Sequence, residues 1–100
     1  MGTARLILST KILPKTTLFQ NYPNPFNPLT AISYSLPKAT TVKLRIFDLL
    51  GKEIAVLENS YKDKGVHQVT FDGTNCASGV YFFQLIADNF VETKKLLLMK

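Results

Sequence analysis

The stretch TVKLRIFD, residues 41–48, places Val42, Leu44 and Ile46 on one side of an extended chain and Lys43 and Arg45 on the other. Successive side chains of a strand point to opposite faces, so this period of two predicts a strand with one buried and one wet face. A helix needs apolar residues three and four apart, and that spacing is weak throughout. Upstream, AISYSLP at 31–37 repeats the pattern, with Ile32, Tyr34 and Leu36 against Ser33 and Ser35, and Pro37 ends it. Downstream, DLLG at 48–51 reads as a tight connection into KEIAVLE at 52–58, with Gly51 able to take positive φ. The two runs are expected to pair as a hairpin, followed by a polar loop at 59–65.

Further along, VHQVTFDG at 66–73 sets His67, Val69 and Phe71 on one face, and Asp72-Gly73 supplies a turn. GVYFFQLIAD at 79–88 is apolar on both faces for most of its length, which predicts a central strand covered on both sides. A turn at Asp88-Asn89 leads to FVETKKLLLMK, expected to stay extended to the last residue. With an extended piece near 18–22, the count reaches about seven strands in about 80 residues, that of an immunoglobulin-like sandwich. The fold class read from the sequence is therefore all-β, an immunoglobulin-like β-sandwich of about seven antiparallel strands over residues 18–100. Residues 1–17 are expected to be an upstream linker or tail. Within them Leu6, Ile7 and Leu8 follow Arg5 in the order of a signal peptide, but Ser9, Thr10 and Lys11 break the run too early for export.

Composition narrows the function classes. With 46% apolar and 19% charged residues in 100 positions, the chain suits a single folded domain large enough to form a core unaided. Its net charge of +5 invites a nucleic-acid reading, but acids are interleaved with the bases and no basic helix or stacking platform is visible, so no nucleic-acid partner is expected. No apolar run approaches a membrane helix, so no membrane span is expected. The single cysteine, Cys76, permits no internal disulfide and no CxxC site, and it reads as an exposed, unactivated thiol.

NYPNPFNP at 21–28 is the unusual segment. Its prolines cannot donate to a ladder and push the preceding Tyr22, Asn24 and Asn27 toward extended geometry, so neither helix nor central strand can pass through it. Tyr22 and Phe26 gain by burial, which points to a shaped, anchored entrance to the domain.

Taken in order, YPNPFNPLTAISYSLP at 22–37, VKLRIFDLLGKEI at 42–54, GVHQVTFDGTNCASGVYFFQL at 65–85 and ETKKLLLMK at 92–100 resemble the type A C-terminal sorting domain of the bacterial type IX (Por) secretion system. The series is also similar to the immunoglobulin-like domain of flagellar hook-capping proteins. The sorting-domain resemblance implies a domain at the end of a larger exported protein of a Bacteroidetes-type bacterium, which directs a passenger through the outer-membrane translocon. It implies as partners that translocon, a sortase-like protease that removes the domain, and a passenger fused upstream that this chain does not carry. It implies transit through the periplasm and arrival at the outer membrane, the cell surface or the extracellular space. Phe71 stands where the family usually has Trp, and Phe83 where it often has Tyr; both keep an apolar ring. The alternative from another class is an uncleaved structural or assembly module of hook-cap or adhesin type.

The residues singled out on this basis are Pro23, Asn24, Pro25, Asn27 and Pro28 as the entrance recognition motif. Gly65, Asp72, Gly73, Gly79 and Tyr81 serve motif geometry, and Lys94, Lys95 and Lys100 the C-terminal signal. Each has two readings. The proline segment is either a stiff shape read by the export machinery or a capped sandwich edge, with Tyr22 and Phe26 plugging the core. The terminal run either offers itself to a receptor as an added strand or is the last packed strand, and its detachment leaves a strand-swapped dimer open. His67, Asp72 and Ser78 lack the frame of a catalytic triad, and DGTN at 72–75 lacks the further acids of a calcium loop. No enzyme activity, cofactor or metal is expected.

Overall fold

The alternation in the sequence produces seven strands and no helix among the described residues, which are 15–100 in this computed structural model. The expected upstream tail lies outside the described residues as far as position 14. The strands are β1 (Thr17–Leu18), β2 (Leu29–Leu36), β3 (Thr40–Phe47), β4 (Glu53–Lys62), β5 (Gly65–Asp72), β6 (Gly79–Ala87) and β7 (Phe90–Leu98). They form two antiparallel sheets, one in the order β1-β2-β5 and the other β4-β3-β6-β7. Relative to the constant-type immunoglobulin arrangement, the fourth strand has joined the sheet of the third, sixth and seventh.

The core lies between the sheets. Ile32, Tyr34, Leu36 and Phe71 from one sheet meet Val42, Leu44, Ile46, Phe83, Leu85, Leu96 and Leu98 from the other in a single buried cluster. Burying each large apolar side chain contributes about 1.5–3 kcal/mol, so the period-two pattern fixes strand register as well as strand existence. Tyr34 is the one large phenol at the centre; its hydroxyl has no partner among the described residues. Its pKa is pushed up to about 12, by burial first and the charge of Glu58 second.

Three strand expectations need correction. The polar loop expected at 59–65 is mostly strand, because β4 continues to Lys62. Asn59, Ser60, Tyr61 and Lys62 pair with Lys43, Val42, Thr41 and Thr40 through backbone groups, which a polar side chain does not prevent. A bulge at Leu57 shifts the register and turns Glu58 inward of Lys62, with which it pairs at 3.5 Å. β6 is central as expected but is covered on one face only. Tyr81, Phe83, Leu85 and Ala87 are buried, while Val80, Phe82, Gln84 and Ile86 are half-buried on the outer face. Two layers leave that face to side chains of its own sheet, such as Arg45, whose guanidinium bonds Gln84 at 2.7 Å and stacks on Phe47. Finally, β7 ends at Leu98, where its pairing with β6 stops, and the Met99 and Lys100 amides donate instead to Phe26 O and Ser78 Oγ. No helix among the described residues is long and apolar enough to cross a membrane.

Candidate functional site

Strand register sets which loops meet. Leu29 lies opposite Asp72, Phe47 opposite Phe82 and Gly79 opposite Leu98, so the proline segment, the 73–78 loop, the β3–β4 turn and the chain terminus share one end of the sandwich.

At that end the proline segment is fastened along the outer edge of β7. Phe26 N donates to Leu97 O at 2.9 Å and Met99 N donates to Phe26 O at 3.0 Å, forming a parallel bridge with Leu98. Leu97 N donates to the Asn24 side-chain oxygen at 3.0 Å, and Gln20 Nε2 donates to Lys95 O at 2.8 Å. Four outward backbone groups at this edge thus find partners, Lys95 O, both groups of Leu97 and Met99 N. Prolines suit this position, since an edge cover needs no continuous ladder of donors.

Phe26 anchors the cover. It is 2% exposed and packs against Phe71 with ring centroids 5.9 Å apart. Gly73 makes room for it, since a Cβ there would stand 3.1 Å from Leu98 Cδ2 and 3.3 Å from Phe26 Cε2. Gly73 N also donates to Pro28 O at 2.8 Å. Tyr22 does not plug the core as expected, for it is 81% exposed. Its backbone pairs with Ala31, and alternation gives the inward place to its neighbour. That neighbour, Asn21, is buried and satisfied: Nδ2 donates to Thr30 Oγ1 at 2.9 Å and to Pro23 O at 3.1 Å, and Thr30 Oγ1 donates to Pro23 O. Pro25, Asn27 and Pro28 are bends between these fixed points.

The 73–78 loop closes over the terminus. The Asp72 carboxylate accepts from Thr74 N at 2.9 Å and from the Thr74 hydroxyl. These bonds, the hydroxyl's first, hold its pKa below the ordinary 3.8, and the charge of Lys100 adds to them. Lys100 Nζ donates to Thr74 O at 2.6 Å, and Lys100 N donates to Ser78 Oγ at 3.0 Å. Tyr81 donates its hydroxyl to Ala77 O at 2.6 Å, and burial raises its pKa. Cys76 is a correction: it is half-buried and packed against the core, because Cys76 N donates to Gly73 O and folds the loop inward.

The structure thus joins Asn24, Phe26, Pro28, Asp72, Gly73, Gly79 and Lys100 in one surface. Gly65 stands apart, opposite Leu36 at the other end of the sandwich. The three lysines do not cluster, since Lys94 is half-buried and pairs with Glu92 at 3.3 Å, whereas Lys95 lies on the opposite, exposed face. Sequence reading missed Gln20, Asn21, Thr30, Thr74 and Ser78, whose only signal is that short polar residues flank the proline and glycine motifs.

No catalytic frame is assembled by the candidates. His67 Nε2 meets Asp63 O at 2.8 Å and its ring lies 5.4 Å from that of Tyr34, while Asp72 is five residues away along β5, roughly 17 Å in an extended strand. Ser78 Oγ is engaged by the Lys100 amide. A hollow of about 670 Å³ beside Thr17, Lys38 and Phe90 lies at the opposite end, and none of the motif residues lines it.

The described residues thus form a small two-layer β-sandwich whose entrance segment is bound to β7. The chain belongs to the family of secretion system C-terminal sorting domains, whose family model matches residues 20–99. It is a C-terminal sorting signal for type IX secretion, and the hook-cap alternative finds no support. Such a signal implies dealings with the type IX machinery and export to the outer membrane, the cell surface or the extracellular space, and the family is not one of enzymes. No individual curated protein matches the chain.

Proposed function

We propose that residues 18–100 act as a self-contained address label, without catalytic activity of their own, whose recognised part is the fastened end of the sandwich. The single observation behind this is the convergence of the entrance motif, the 73–78 loop and the terminus through hydrogen bonds between residues distant in sequence. Binding to a preset surface loses little ordering entropy, which suits a signal that must serve unrelated passengers. Pro23, Asn24, Pro25, Asn27 and Pro28 shape the cover, Asp72, Gly73, Gly79 and Tyr81 hold the loop, and Lys95 and Lys100 supply charge beside it. Lys94 supplies charge on the other face, and Gly65 sets only the start of β5. The outer-membrane translocon reads this end after periplasmic transit, and a sortase-like protease then separates the passenger upstream. Pairing of β7 with β6 and Phe26 of the same chain favours a label that keeps its own β7 over a strand-swapped dimer.

The test fuses residues 1–100 behind a Sec-exported fluorescent protein in a type IX host. Surface fluorescence is expected from the intact fusion and its loss on deleting residues 96–100. Equal surface delivery by both would refute the assignment of the signal to this end.

A further inference from the structure

Each of the two sheets has two edge strands, and three of these four carry a device that hinders further pairing. β7 is covered by the entrance segment from Lys95 O to Met99 N, β1 is two residues long, and β4 is bent by register shifts opposite Leu44/Arg45 and Ile46/Phe47. β5 carries none. Its eight residues pair with β2 without a register shift, and from Gly65 to Phe71 they include no proline, no acid and no base other than the inward-facing His67. The direction of its backbone groups follows from β2. Ala31 and Ser33 turn theirs to Tyr22 and Phe19, so the alternate residues Thr30, Ile32 and Tyr34 turn theirs to Phe71, Val69 and His67. Val66, Gln68 and Thr70 therefore direct their backbone N–H and C=O groups away from the sheet, and these groups have no partner among the described residues. The three side chains are exposed as well.

We infer that β5 is the contact surface for a second copy of this chain, added antiparallel about a two-fold axis at Gln68 so that two three-stranded sheets become one. The inference goes beyond the sorting reading and does not rest on it. In this register Gln68 faces Gln68 of the second copy and Val66 faces its Thr70, so ladder bonds take up every outward group of the three residues on both strands. The same register sets Lys64 opposite Asp72 of the second copy, once at each end. Both are open to such a pair: Lys64 has no ion partner among the described residues, and Thr74 occupies only Oδ1 of Asp72. A foreign extended segment can meet the backbone groups, but the charged ends match this strand reversed upon itself. The charged groups beside this edge are Glu58, Lys62, Asp63, Lys64, Asp72 and Lys100, three of each sign. The net charge of +5 therefore belongs to the rest of the chain. It draws no anionic surface to this edge, and at physiological salt it is screened beyond about 8 Å, so it does not hold a copy off. A contact made by one strand edge is small, and the dimer is accordingly weak and concentration-dependent.

Sedimentation of the full chain, residues 1–100, from about 1 μM to about 1 mM tests this, and the mass is expected to rise toward that of a dimer across the range. Gln68→Pro removes an N–H that has no partner within the domain, and an edge strand tolerates proline where its N–H faces outward. It is expected to raise the dimer dissociation constant by about tenfold or more. Should the proline unfold the chain, Lys64→Glu carries the test, since it lies outside the core, leaves the melting temperature unchanged and sets a second acid against Asp72. It is expected to raise the constant several-fold. In a Cys76→Ala background, Gln68→Cys is expected to give a disulfide-linked dimer on mild oxidation, because facing Cα atoms in such a pair lie about 5.5 Å apart. Val66→Cys is expected to give none, its two copies lying roughly 14 Å apart along the ladder. A monomer throughout the range overturns the second copy as occupant and leaves the edge to a foreign strand. A dimer indifferent to the β5 variants, or one linked by Val66→Cys and not by Gln68→Cys, overturns the contact at this edge and register.

Discussion

The Asp72 carboxylate accepts both the amide and the hydroxyl of Thr74, and the Thr74 carbonyl in turn accepts Lys100 Nζ, so one side chain organises the contact that receives the last residue. Folding depresses the pKa of Asp72 from its ordinary 3.8, chiefly through the Thr74 hydroxyl. A depressed carboxyl contributes its stabilisation in full above its unfolded value and loses it as pH falls through the lower folded value. The window thus lies on the acid side of 3.8. Asp72→Asn is expected to lower the melting temperature at neutral pH, with the gap to wild type closing as both are acidified toward about pH 2. Thermal melts across that range provide the check, and a gap that stays constant contradicts the assigned role. Gly73 acts beside it by a different means, leaving space where a methyl group would crowd Leu98 and Phe26.

β7 has two different edges in one strand. From Lys95 O to Met99 N four outward groups are held by Gln20, Asn24 and Phe26, while the outward groups of Val91 and Thr93 have no partner among the described residues. The apolar anchor of the covered half is Phe26, so Phe26→Ala is expected to cost about 3–5 kcal/mol in urea unfolding, as for a core phenylalanine. A loss below about 1 kcal/mol would place the ring outside the core. The strands themselves were legible in the sequence because Val42, Leu44 and Ile46 alternate with Lys43 and Arg45, and the burial pattern repeats that alternation. The continuation of β4 was not, since Asn59 and Ser60 carry no apolar signal and enter the sheet through backbone pairing with Lys43 and Val42. Asn21 and Tyr22 misled in the opposite sense: hydrophobicity favours burying the tyrosine, but the asparagine finds Thr30 and Pro23 as partners and takes the inward place. Periodicity is local, and it carries no information about Asn24 meeting Leu97 across 73 positions.

At the scale of the molecule, the two sheets serve as a frame that brings segments from near residue 20 and residue 100 to one end. That convergence explains why a resemblance read from separate motifs corresponds to a single surface: Asn24, Asp72, Gly79 and Lys100 are far apart in sequence and adjacent through the sandwich. The charge of +5 is spread over the whole chain, so the recognition proposed for this end rests on shape and backbone geometry more than on a field. The central claim is that the entrance segment and the terminus are bound to each other in the free domain. Native-state hydrogen exchange of the Leu97 and Met99 amides tests it most directly, since these donate to Asn24 and Phe26 and to nothing in β6. Protection comparable to that of the β6 amides, lowered at Leu97 by Asn24→Ala, is the predicted result. Exchange of both amides at the rate of a frayed terminus, with β6 still protected, would contradict it.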